Sequence, residues 1–143
     1  MLSNTMSFLY MIEHTKMTKS YKGPVLLSLF QGNMISGKIT IDELMEYFKH
    51  FYADPKHRLD LNDLIHEDFD KWSNDQLKSH IIRNPISALL NTSSELFYFL
   101  NEEFGIKQEV YEDLIHDNAL DIVEEKIYQR LANYFSNKFK VVL

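Results

Sequence analysis

Ser73-Asn74-Asp75-Gln76-Leu77-Lys78-Ser79-His80-Ile81-Ile82-Arg83-Asn84-Pro85-Ile86-Ser87-Ala88-Leu89-Leu90-Asn91 is the stretch on which the fold reading turns. Ser73 and Gln76 have the S-x-x-Q spacing of a capping box, in which each side chain satisfies a free amide at a helix start. The helix so opened carries Leu77 and Ile81. Asn84 is placed to cap a second helix with Pro85 at its first position, where a missing amide hydrogen is no loss. Ile86, Leu89 and Leu90 then face inward. Two short helices joined by a tight turn predict a helix-turn-helix. The aromatic run at 96–100, an acidic turn and a second apolar run at 104–106 predict a β-hairpin directly after it.

Working outward, Thr40 and Glu43 repeat the capping-box spacing ahead of a helical stripe of Ile41, Leu44, Met45, Phe48, Phe51 and Tyr52, which Pro55 ends. Residues 4–14 read as a short helix with Phe8, Leu9, Met11 and Ile12 for packing. The apolar run at 25–30 fits helix or strand by pattern alone, and Pro24 suits a first helical turn. Gly32, Asn33 and Gly37 punctuate a turn. Residues 53–72 form a weakly apolar insertion with a short helix around 61–65. After the hairpin come a helix at 108–115 and a last one from about Asn118, striped with Leu120, Val123, Ile127, Leu131 and Tyr134. Lys138 and Lys140 suit its C-terminal end. The expected fold is mainly α: a winged-helix-like helical domain with a small β-hairpin and additional N- and C-terminal helices. One domain spans 1–143, with an N-terminal helix or arm at 1–18, a winged-helix-like core at 19–107 and C-terminal helices at 108–143.

The 143 residues suffice for one sizeable core. Apolar residues at 45% and charged residues at 25% argue against disorder. No Cys is present, so a disulfide framework and a thiolate metal site are excluded. No stretch has the apolar length of a membrane span and no signal-like N-terminus stands out, so a cytoplasmic protein without membrane contact is expected. The net charge of −6 opposes tight phosphate binding by the whole surface. The charge is unevenly spread: Lys16, Lys19 and Lys22 make the early chain basic, whereas 102–125 is acidic.

The letters that suggest catalysis or a cofactor have plainer explanations. Residues 32–38 nearly match the phosphate-cradling G-x-x-x-x-G-K-[ST], but Ile39 stands where the magnesium-holding hydroxyl belongs and Thr40 is better used as a cap. A plain turn is preferred, and a small nucleotide-binding protein stays a secondary alternative. His14, His50, His57, His66, His80 and His116 show no metal-ligand spacing, so no metal is expected. Glu124-Glu125-Lys126 and Asp68-Phe69-Asp70-Lys71 have the letters of a nuclease site but not its strands. No serine or threonine lies in a nucleophile-elbow setting. The expectation is a non-catalytic protein without a cofactor.

Met17-Thr18-Lys19-Ser20-Tyr21-Lys22 with Pro24-Val25-Leu26-Leu27 gives the chain a further signature. It is followed by Ile41-Asp42-Glu43-Leu44, Phe48-x-x-Phe51-Tyr52, Phe69-x-x-Trp72, Arg83-Asn84-Pro85-Ile86 and Arg130-x-x-x-Tyr134-Phe135. In order and spacing these resemble the C-terminal module of bacterial DEAD/DEAH-box helicase-like proteins of restriction or phage-defence type, here without the motor. Gly23 stands where that family usually has a larger apolar residue, and Lys138 where it would have Arg. The resemblance implies a module that engages nucleic acid or a partner protein, such as a helicase or nuclease. Lys16, Lys19, Lys22, Lys78, Arg83 and Asn84 are the candidate contact residues, with the lysine segment the more credible contact. The alternative is an acidic inhibitor or adaptor of such a partner, acting through 102–125.

Overall fold

Thr40 and Ser73 both start helices. The computed structural model describes residues 2–31 and 37–143. The Thr40 hydroxyl accepts the Glu43 amide, though Glu43 returns its carboxylate to that hydroxyl and not to the backbone. The Ser73 box is reciprocal: its hydroxyl takes the Gln76 amide and Gln76 takes the Ser73 amide.

The elements are α1 (Asn4–His14), α2 (Lys22–Ser28), β1 (Lys38–Thr40), α3 (Ile41–Ala53), α4 (Pro55–Arg58), α5 (Asn74–Ile81), α6 (Ser87–Thr92), β2 (Phe97–Leu100), β3 (Glu103–Ile106), α7 (Gln108–His116) and α8 (Leu120–Phe139). Short 3-10 turns occupy Leu59–Leu61 and Phe69–Lys71. The chain is therefore mainly helical, with a small antiparallel sheet in the order β1-β3-β2. The expected hairpin is β2 and β3, paired Phe99 to Phe104. Its two-residue turn puts Asn101 and Glu102 at φ of 51° and 59°, the backbone of a type I′ turn that follows the strand twist. Strand β1 adds to β3 through Lys38 opposite Gly105 and Thr40 opposite Glu103.

The helix-turn-helix expected over 73–91 is not what forms. Helices α5 and α6 are joined without a break by a π-helical turn over Ile82–Ile86. Pro85 cannot donate to the carbonyl four residues back, and its ring crowds that carbonyl. A wider turn removes the clash, and the Ser87 amide reaches back five residues to the Ile82 carbonyl. Asn84 does not cap a new helix; its side-chain amide donates to the His80 carbonyl at 2.9 Å. The result is one continuous rod with a bulge at its middle.

Every predicted apolar residue of α3 is buried, with Phe48 fully enclosed 4.9 Å from the Tyr52 ring. Phe8, Phe97 and Phe104 form a second aromatic knot between α1 and the hairpin, 5.5 Å and 5.4 Å apart in turn. Long α8 buries Val123, Ile127, Leu131 and Phe135, while Tyr134 turns partly outward. Gly23 lets α2 lie directly on α8, because a Cβ there would stand 2.4 Å from Leu131 Cδ2. Among the described residues no helix is long and apolar enough to cross a membrane.

Candidate functional site: a basic groove beside the bulged helix

The lysine segment is pinned from below by a buried carboxylate that the sequence pattern did not single out. Asp60 is fully buried in the 53–72 insertion. One of its oxygens accepts the Ser20 amide at 2.7 Å. The other accepts the Tyr134 hydroxyl at 2.8 Å and the Lys138 ammonium at 2.9 Å. Ser20 Oγ completes the set by bonding the Tyr52 hydroxyl at 2.6 Å. Burial, the bond to Asp60 and its negative charge hold the Tyr134 phenol well above the usual range, so it serves as a donor. The turn before α2 and helix α8 thus meet at one buried anion of the insertion, with α3 tied in through Ser20, and this hydrogen bonding is what such an anion requires.

A relay continues outward. The Lys19 ammonium bonds the Asp60 carbonyl and the Asp63 carboxylate, each at 2.8 Å. Asp63 also holds His66 Nδ1 at 2.6 Å, and the other His66 nitrogen meets the Tyr21 hydroxyl at 2.8 Å. Burial alone would push Asp63 up, but hydrogen bonds from Lys19 and His66 carry it well below the ordinary carboxylate range. Burial, then the charges of Asp63 and Asp60, raise the Tyr21 phenol far above its usual value, so it stays protonated beside His66. His80 packs against this pair, 4.6 Å from the Tyr21 ring, with its Nδ1 buried and without a hydrogen-bond partner among the described residues.

Lys22 is nearly buried, and its ammonium bonds only neutral oxygens, Thr15 Oγ and the Lys16 carbonyl, both at 2.8 Å. Arg130 lies behind it and donates to the carbonyls of Ile12 and Thr15 at 2.7 Å and 2.6 Å, closing the end of α1. Burial first, then Arg130 and Lys16, lowers the Lys22 pKa. A cation this enclosed with no carboxylate beside it leaves local positive potential unspent.

Five of the six residues chosen from sequence line one groove of about 520 Å³: Lys16, Lys19 and Lys22 on one wall, Arg83 and Asn84 on the other. Ser87 and Asn91 extend the second wall, and among the described residues no Asp or Glu lines the groove. Lys16 and Arg83 are exposed and make no ion pair among the described residues. The sixth residue, Lys78, is elsewhere. It is bridged to Glu102 in the hairpin turn, which fastens the sheet to α5.

The other motifs are placed as follows. Residues 32–36 of the phosphate-loop look-alike lie outside the described residues; Gly37 has φ of 71° and Lys38 is in β1. Glu124, Glu125 and Lys126 sit within α8, and Lys126 pairs with Glu13 at 2.7 Å. Asp70 pairs with Arg58 at 2.7 Å. No metal-holding group of His, Asp and Glu occurs among the described residues. Of the acidic 102–125 stretch, Asp113 and Asp117 take hydrogen bonds from Asn4 and Thr5 and so hold α1 to α7.

The chain matches no family model, no curated protein and no solved structure, and its function is therefore read from the groove itself.

Proposed function

We propose that this chain is a non-catalytic, winged-helix-like binding module that holds a nucleic-acid backbone in the basic groove, serving a helicase-type or defence-type system. One observation carries the reading: cations separated by more than sixty residues of sequence line one groove to which, among the described residues, no carboxylate contributes, and only Lys19 of them is paired, with Asp63. Lys16 and Arg83 are exposed and can reach phosphate, and the buried Lys22 adds a cation that no carboxylate pairs with among the described residues. The strand order β1-β3-β2, with the hairpin directly after the bulged helix, supports the winged-helix-like part. The exposed side chains along that helix, Arg83, Asn84 and Asn91, are donors suited to phosphate and base edges.

An electrophoretic mobility shift with duplex and single-stranded oligonucleotides at low salt tests this. The expected result is a shift in the micromolar range that fades with added salt. Replacing Lys16 and Arg83 together by Glu should weaken it by roughly tenfold or more. An unshifted oligonucleotide at tens of micromolar protein would sink the nucleic-acid reading.

A further inference from the structure

A second groove, of about 630 Å³, adjoins the first at Arg83 and Asn84 but has a different chemistry. Ile65 and Trp72 form its apolar wall, and Asp68 and Asp75 stand along it. At its edge Leu64 is 89% exposed and Ile65 is 74% exposed, consecutive large side chains with nothing packed over them. Glu67 and Asp75, both exposed, make no ion pair among the described residues, and Asp68 is engaged only by the Trp72 indole N–H at 3.1 Å.

We infer that this surface docks a short amphipathic polypeptide segment that carries Lys or Arg beside aliphatic or aromatic anchors. The apolar pair and the Trp72 wall supply area that leaves water on contact. The flanking carboxylates select the charge of the partner. Those same carboxylates repel a phosphate backbone or an anionic lipid surface. A second copy of this chain would bring a net charge of −6 to an already acidic rim. This inference stands apart from the nucleic-acid reading, because none of the residues it depends on, Leu64, Ile65, Glu67, Trp72 and Asp75, lines the basic groove.

Trp72 is the only tryptophan in the chain, so its emission reports this groove directly. The test titrates the full chain with a tryptophan-free helical peptide of Leu and Lys, and in parallel with its Leu and Glu counterpart. The Lys peptide should produce a saturable change in Trp72 emission that weakens with salt; the Glu peptide should produce none. The double variant Leu64→Ser/Ile65→Ser and the double variant Glu67→Gln/Asp75→Asn should each weaken binding by roughly tenfold. All four positions are exposed, so these variants should fold, which circular dichroism checks. Both should leave the oligonucleotide shift intact. Equal binding of the two peptides, unaltered binding by either double variant, or no saturable change up to about 1 mM peptide overturns the inference. Loss of oligonucleotide binding in Leu64→Ser/Ile65→Ser would also overturn it, by showing that the two surfaces are one.

Discussion

The Asp60 carboxylate accepts the Ser20 backbone amide at 2.7 Å, joining two points forty residues apart in the chain. The lysine wall of the groove is anchored there. Lys19 precedes Ser20, and Tyr134 and Lys138 of α8 share the same carboxylate. Asp60→Ala should therefore cost about 3 kcal/mol of stability, since it strips the partner from a buried amide and a half-buried phenol. Urea denaturation measures it, and a loss below about 1 kcal/mol would show that Asp60 does not hold these elements together.

Gly23 and Leu131 are predicted to be strongly coupled. A methyl at Gly23 meets Leu131 Cδ2 at 2.4 Å, so Gly23→Ala alone should destabilise by about 1–3 kcal/mol. In the Leu131→Ala background the same change should be close to neutral. A double-mutant cycle from thermal or denaturant melts reads the coupling, and simple additivity would refute the contact.

Acid should weaken the fold in two successive steps. Burial, and then the neighbouring His66, lower the His80 pKa from 6.5 to about 4. Between those values the unfolded chain takes up a proton that the folded chain refuses, so stability falls as pH drops from about 6.5 to 4. His80 is only partly buried, which brings the expected loss to about 1–2 kcal/mol. His80→Phe should flatten that window. Asp63, whose pKa is depressed, contributes stability that is lost at lower pH, as the acid falls through the carboxylate range and below. Denaturant midpoints across pH 2–8 follow the first step to its end and the second into the acid range.

Lys78 offers a negative control for the basic groove. Its partner Glu102 is exposed in the hairpin turn, and such a pair contributes about 0–1 kcal/mol. Lys78→Met should leave oligonucleotide binding and its salt dependence unchanged. Arg83→Met should reduce the slope of log K against log salt by about one. A loss of binding at Lys78 equal to that at Arg83 would move the contact surface to the hairpin side of α5.

Much of the helical framework was legible because periodicity and capping act locally. The α3 stripe and both Ser and Thr caps follow from residues within four positions of one another. The hairpin was equally local. Strand β1, only three residues long, exists because β3 is there to pair with, and no period can register at that length. Asn84-Pro85 misled for a related reason. The pair fits a helix start and a π turn equally well, and the choice fell to the burial of Ile81, Ile86 and Leu89 on one continuous rod. The lysines and Arg83 could be named from residue type, and tertiary structure brought them together. Asp60 gave almost no signal, being one carboxylate between Leu59 and Leu61 whose partners lie up to seventy-eight residues away.

The π turn at Ile82–Ile86 also sets the length on which the groove depends. Each residue of a regular helix advances the side-chain direction by about 100°. Deleting Pro85 from the bulge would let the rod close into ordinary α-helix and rotate everything beyond it by about that angle. Ser87 and Asn91 would swing out of the wall they share with Arg83, and Leu89 would be levered out of the interior. The bulge thus works as a phase shifter: a single inserted residue keeps the two halves of the rod facing different neighbours.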